Sequence, residues 1–287
     1  MVAITIGGIA ILPRSQGENN GTLTSKIETA SLTKYGLEIV DPKHPEFSKL
    51  MAEKPSGPIT AFSVFVANNN DKAIASCSLK WEMVLPNSQI TTQFQTKTGN
   101  LGTISDGKLA HLMEGIASKG NLLFSLTESS SPDNQAGIGS GFRTKGESSN
   151  ITDQLLNIVK VRVSIDGVLF TDGTYVGPDT NNYFELFRGQ IEANRDLDSE
   201  IEHLVNNGAR TEAIMNHLKK LSNTQSSEVQ IPAGEDSQYS LGKWMQKRSY
   251  AKLLLVMREK KGDQAVLDHV RAELSNPQIK LQKLKED

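Results

Sequence analysis

The feature that most restricts the fold is a twelve-residue stretch of alternating polarity. Ala73, Ala75, Cys77, Leu79, Trp81 and Met83 are apolar, Ser76, Ser78, Lys80 and Glu82 are polar, and only Ile74 and Val84 blur the second row. A period of two sends one row into a core and the other into water, as in a strand of an antiparallel sheet. Burying Leu79, Trp81 and Met83 contributes roughly 1.5–3 kcal/mol each. The hairpin that this strand closes is therefore expected at the centre of a β-sandwich.

Neighbouring segments repeat the rhythm. Residues 59–67 carry Phe62, Val64 and Val66 on one row, and Asn68-Asn69-Asn70-Asp71-Lys72 offers the backbone freedom of a hairpin turn into the alternating strand. Ile90, Thr92, Phe94 and Thr96 alternate weakly, and residues 122–127 read as a strand. Val159, Val161, Val163 and Ile165 form another row, followed by turn signals at Asp166-Gly167 and Asp172-Gly173. Phe47, Leu50 and Met51 after Asp41-Pro42 have helical spacing. Residues 106–118 are ambiguous, because Leu109, Leu112, Met113 and Ile116 match a helical stripe that Gly115 weakens.

Short strands with turns between them predict an antiparallel β-sandwich of immunoglobulin or fibronectin type, without the cysteine pair of an antibody domain. After Gly177-Pro178 the period becomes helical. One helix, capped by Asp179 or Thr180, carries Phe184, Phe187, Ile191, Ile201, Leu204 and Val205 and stops at Asn206-Asn207-Gly208. Further helices are expected over about 210–221, from a Ser240 cap to Lys261-Gly262, and over 263–274. The segment Ala213–Lys219 echoes Ala265–Arg271, which suggests two similar helical hairpins. The expectation is α+β: an apolar N-terminus and polar linker over 1–24, a sandwich over 25–178 and a helical region over 179–287.

Bulk properties narrow the function classes. A net charge of −2 argues against non-specific nucleic-acid binding, which needs a dense positive surface. Residues 209–287 hold 14 Lys+Arg against 10 Asp+Glu, a mildly basic end that reads as a solvated helical face. The single cysteine, Cys77, lies on the apolar row and reads as a core residue. Met1 to Leu12 is apolar but too short to span a bilayer. It reads as a first strand, a tail, or the end of a truncated export signal, so the compartment is either cytoplasmic or exported. The sequons at Asn20 and Asn150 matter only in a glycosylating pathway.

Each motif that touches chemistry fails a physical requirement. His217 and His269 occupy equivalent positions in the echo, but a metal site needs three or four ligands, and no metal or other cofactor is expected. Asn194–Ser199 has the spacing of a calcium loop without the glycine at position six or a Glu at position twelve, where Val205 stands. Ser31-x-x-Lys34, Lys97-Thr98-Gly99 and Ser148-Ser149-Asn150 resemble the penicillin-binding set in reversed order. The long loop 129–150 carries Gly137, Gly139 and Gly141 with Arg143 and Lys145, a candidate ligand- or partner-contacting group without the helix a phosphate loop requires. Tyr175, Tyr183, Phe184 and Phe187 either join the two regions or present an aromatic patch. These readings favour a non-catalytic binding or interaction protein, through an unidentified protein partner or self-association. An enzyme of hydrolase type, with its site between loop 129–150 and the helices, and an exported envelope component are the alternatives.

Overall fold

The computed structural model describes residues 27–53, 62–98, 104–105, 108–109, 116–126, 158–225, 231–277 and 279–284. Within them the strands are β1 (Ile27–Ala30), β2 (Leu37–Val40), β3 (Ser63–Asn68), β4 (Ile74–Val84), β5 (Ile90–Thr98), β6 (Ile104–Ser105), β7 (Lys108–Leu109), β8 (Asn121–Ser125), β9 (Lys160–Phe170), β10 (Thr174–Val176) and β11 (Gln282–Lys283). The helices are α1 (Phe47–Ala52), α2 (Tyr183–Asn206), α3 (Thr211–Asn223), α4 (Ser237–Lys261) and α5 (Asp263–Ser275). The fold is mixed α+β with several sheets.

Two sheets face one another. The larger has the order β11-β10-β9-β4-β5, with β1 pairing β9 in parallel, and the smaller has the order β2-β3-β8. Leu79, Trp81 and Met83 of β4, Val161, Val163 and Ile165 of β9, Val64 and Val66 of β3, and Phe124 of β8 share one core between them. The alternating strand lies between β9 and β5, and its apolar row enters this core. Its polar row is not uniformly wet: Ser76 and Ser78 are buried, while Lys80 and Glu82 are partly exposed.

Three local expectations are corrected. The turn at 68–72 does not close a hairpin, because β3 pairs with β2 and β8 while β4 belongs to the other sheet. Asn68 Nδ2 donates to the carbonyls of Lys72 (2.8 Å) and Ala117 (3.0 Å), and Asn69 N–H donates to Gly36 O (2.7 Å), so the connection is held as a crossover between layers. Asp166-Gly167 is not a turn but an irregularity within β9, opposite Ser78 of β4. The helical stripe at 106–118 is interrupted where it is described: Lys108–Leu109 pairs with Ile104–Ser105, and Ile116 bridges to Ile74.

β3 is buried on both faces because α1 covers the side away from the main core, with Phe47 edge-on to Phe65 at 5.6 Å. α2 covers part of the outer face of the larger sheet, packing Phe187 and Ile191 on Ala75, Leu169 and Tyr175. Its C-terminal half joins α3, α4 and α5 in a second core of Leu197, Ile201, Ile214, Met215, Leu218, Leu254, Val266 and Val270. Long α2 precedes 13-residue α3 and long α4 precedes 13-residue α5, and the matched positions Ile214/Val266 and Leu218/Val270 are buried in both short helices.

The helices cross at glycines. A Cβ on Gly189 of α2 would collide with the Tyr239 carbonyl oxygen, and one on Gly242 of α4 with the Leu186 carbonyl oxygen, so only glycine permits this backbone approach. α4 begins earlier than its expected Ser240 cap. Asp236 is the cap, accepting from the N–H groups of Gln238 (2.8 Å) and Tyr239 (3.1 Å). Pleated structure also returns beyond the helices, since β11 runs parallel to β10.

Candidate functional site

Three places gather chemistry, and they differ in how far the chain itself uses them up. The first is the junction between β9, β10 and α2. Asp179 and Asn182 hold left-handed backbone angles (φ 57° and 55°), and Gly177 sits at φ 118°. This tight path turns the Asp179 carboxylate inward. Its Oδ1 accepts from the Tyr175 hydroxyl (2.9 Å) and the Phe184 N–H (3.2 Å), and its Oδ2 pairs with Lys283 Nζ of β11 (2.6 Å). Burial pushes the Tyr175 hydroxyl well above the usual phenol range, and the Asp179 carboxylate adds to the shift, so Tyr175 remains a donor. Asp166 Oδ1 accepts from Thr180 N–H (2.9 Å) and Thr180 Oγ1 (2.6 Å), while Oδ2 is buried without a hydrogen-bond partner. The aromatics expected at this junction join it: Tyr175 meets Phe184 at 5.5 Å and Phe187 at 6.4 Å, and Tyr183 stacks on Phe187 at 6.1 Å.

The second place lies in the helical core. Asp198 of α2 is 2 % exposed, and its Oδ1 accepts from the Tyr250 hydroxyl of α4 (3.0 Å). Burial raises the Asp198 carboxyl to about 7, against the lowering effect of the Tyr250 hydrogen bond, and Glu273 of α5 adds like-charge repulsion. His269 meets the Tyr250 ring edge-on at 6.2 Å, with its Nε2 buried and lacking a hydrogen-bond partner. His217 Nε2 lies instead 3.5 Å from Glu200, so the two histidines serve different neighbours. Among the described residues no three His, Cys, Asp or Glu side chains converge as metal ligands would.

The third place is the β5 end of the larger sheet. β5 is nine residues long and pairs in unbroken register with β4 from Ile90 opposite Val84 to Thr98 opposite Ser76. At the hairpin end Leu85 N–H donates to Gln89 O (2.9 Å). Bonded and non-bonded pairs alternate along an antiparallel ladder. Residues 91, 93, 95 and 97 therefore bond to β4, and the backbone groups of Ile90, Thr92, Phe94 and Thr96 point away from it. Among the described strands none pairs with that side. Ile90 is 55 % exposed, and Thr91 and Thr92 are exposed beside it. Lys80–Glu82 (2.9 Å) and Lys160–Glu28 (2.6 Å) ion pairs lie on the same sheet, and Phe94 of β5, opposite Lys80, meets Tyr183 of α2 edge-on at 6.5 Å. At the inner side Gln95 Nε2 donates to Ser125 O of β8 (3.1 Å), bridging the two sheets at their β5 and β8 edges.

The sequence-predicted site residues fall differently. Gly137, Gly139, Gly141, Arg143 and Lys145 lie outside the described residues, as do Met1–Leu12, both sequons and Ser148–Asn150. Ser31 is structural, its Oγ accepting from Ile39 N–H (2.8 Å). Asn194–Ser199 is helical throughout, within α2. Burial raises the Cys77 thiol far above its usual range, which leaves it inert as a nucleophile. Sequence reasoning missed the Asp179–Lys283 pair, which spans 104 residues and has no local signal. It also passed over Asp198, although a carboxylate in register with Ile191 and Ile201 on an apolar stripe was a legible one.

Searches of protein-family models, of curated proteins and of solved structures return no match to this chain. Among the described residues no helix is long and apolar enough to cross a membrane.

Proposed function

We propose that this protein is a non-catalytic binding protein that engages its partner along the open side of β5 and the adjoining uncovered part of the larger sheet. The observation that carries the reading is the nine-residue edge strand itself, with alternate backbone groups turned outward and Ile90 exposed. An unpaired edge offers a ready template for a strand from another chain, with main-chain hydrogen bonds giving affinity and alternate side chains giving selectivity. The Asp179–Tyr175 pair argues against catalysis for a physical reason. At the junction both Asp179 oxygens are taken up within the fold and Tyr175 is locked as a donor, so neither is free to move a proton.

The segment 129–150, with Gly137, Gly139, Gly141, Arg143 and Lys145, is a second contact in this reading. It begins four residues beyond Ser125, the β8 residue that Gln95 of β5 touches. The immunoglobulin or fibronectin type is the finer architectural reading, supported by two sheets packed around Trp81. The division at about residue 178 into sandwich and helical region belongs to the same proposal. The buried, unpartnered Asp166 Oδ2 is the one feature that favours a hydrolytic site at the junction.

Crosslinking of the full chain in native extract, with the crosslinked positions mapped, tests the binding reading. The expected result is a reproducible partner crosslinked at Lys80, Lys97 or Lys145, and lost on Thr92→Pro. Recovery of the chain alone, together with turnover of a generic ester or phosphoester that Asp166→Asn abolishes, would establish the hydrolytic reading instead.

A further inference from the structure

Resting on that binding reading, we infer that the partner at the β5 edge is a second copy of this chain, its β5 running antiparallel to the first about a two-fold axis through Thr92. The inference comes from comparing the strands that border the two sheets. β1 is four residues long, bears Glu28, and has its Ile27 carbonyl capped by Lys43 Nζ (2.7 Å). β11 is two residues long and carries Lys283. In the smaller sheet, Ile39 N–H of β2 is satisfied by Ser31 Oγ, and β8 is five residues long with its Ser125 carbonyl capped by Gln95. Shortness, charge and side-chain caps are the devices by which sheets avoid edge-to-edge pairing.

Among the described residues β5 has none of them over residues 90–96. That stretch, Ile-Thr-Thr-Gln-Phe-Gln-Thr, holds no charge and no proline, and its register with β4 shows no bulge. It is rich in β-branched residues, which suit a pleated surface. An edge of this composition pairs with whatever strand matches it, and the matching strand always present at equal concentration is its own copy.

The geometry accepts the match. With the axis at Thr92, the outward-facing backbone groups of residues 90, 92 and 94 meet those of 94, 92 and 90 in the partner, so the bonded positions coincide. Ile90 of each copy falls opposite Phe94 of the other, a β-branched and aromatic cross-strand pair that covers the exposed isoleucine. Lys97 of each copy falls opposite Asn87, so the lysines never face each other. A closed two-fold contact of this kind stops at a dimer.

Sedimentation equilibrium of the full chain provides the test. The wild-type chain is expected to be dimeric. Thr92→Pro removes an N–H that points away from β4, so the fold persists and the dimer dissociation constant rises by about a hundredfold. Thr92→Lys, which places two lysines face to face, gives the same result if the proline variant misfolds. Bonded pairs hold their Cα atoms about 5.5 Å apart, within disulfide range. Under mild oxidation Thr92→Cys is therefore expected to form a covalent dimer, and a control cysteine at exposed Ser249 of α4 is not. A wild-type chain that remains monomeric would overturn the self-pairing while leaving the wider binding reading intact, provided Thr92→Pro still abolishes a crosslinked foreign partner. A dimer indifferent to both Thr92 substitutions would overturn self-pairing through this edge. A chain that neither dimerises nor loses a partner on Thr92→Pro would sink the wider reading as well.

Discussion

The junction of β10 with α2 and the core among the helices each bury an aspartate under a tyrosine hydroxyl, and the two pairs behave as opposites. Tyr175 donates to Asp179 at 2.9 Å and Tyr250 donates to Asp198 at 3.0 Å, so the local bond is the same. The surroundings differ. Asp179 also accepts a backbone N–H and pairs with Lys283, and these contacts offset the cost of removing its charge from water. Asp198 lies in a core of Leu197, Ile201, Ala251 and Leu254 with Glu273 nearby, and burial lifts its carboxyl to about 7. A buried carboxylate strengthens a fold when its neighbours complete its hydrogen bonds and charge, and weakens it when they do not. The first pair clamps the C-terminal strand to the sheet, while the second makes the helical core sensitive to pH.

The largest effect should come from unbalancing the clamp. Asp179→Ala removes the acceptor for a buried tyrosine hydroxyl and the partner of Lys283. Chemical denaturation should show a loss of about 3 kcal/mol, within the range for breaking a buried pair. An intact midpoint would mean that the ion pair and its hydrogen bonds contribute nothing.

Asp198 should behave in the reverse sense. Its folded-state value lies above that of an unfolded aspartate, so the folded protein holds a proton that the unfolded chain has released. Stability is then fully present below about pH 4, falls as pH rises towards 7, and is level above that. Asp198→Asn keeps an acceptor for Tyr250 and removes the titration. The variant should be more stable than wild type at pH 8 by on the order of 3 kcal/mol, with the difference shrinking at pH 4. Parallel stability curves for the two proteins across that range would refute the assignment.

The helix crossing gives a smaller effect. Gly242→Ala forces a Cβ against the Leu186 carbonyl and should cost about 1–3 kcal/mol, with α2 and α4 losing hydrogen-exchange protection before the sheets do. Simultaneous loss in both regions would show that they unfold as one unit. The smallest change is expected on the exposed part of the larger sheet. Lys160 holds the Glu28 carboxyl below its usual range, but the pair is solvated, so Glu28→Gln should leave the thermal midpoint almost unchanged in physiological salt.

Local pattern carried much of this fold. The strand around Trp81, the row from Val161 to Ile165, the change to helical rhythm after Pro178 and the stop at Asn206-Asn207-Gly208 all follow from side-chain periodicity and backbone preference, which act over a few residues. The position of β5 was only half legible. Ile90-Thr91-Thr92-Gln93 reads as a weak strand, but whether a strand lies at the centre or border of a sheet depends on residues far along the chain. The turn at 68–72 failed for the same reason: its composition permits a hairpin, and contacts with Gly36 and Ala117 selected a crossover.

The sequence by itself determined which segments pleat, which wind, and which side chains prefer a core, because those preferences are properties of neighbouring residues. Tertiary structure alone decided that Lys283 neutralises Asp179, that Gly242 meets Leu186, and that β5 has β4 as its one neighbour among the described strands. Charge compensation, backbone approach and strand order are relations between distant segments. They come into being only when the chain closes on itself.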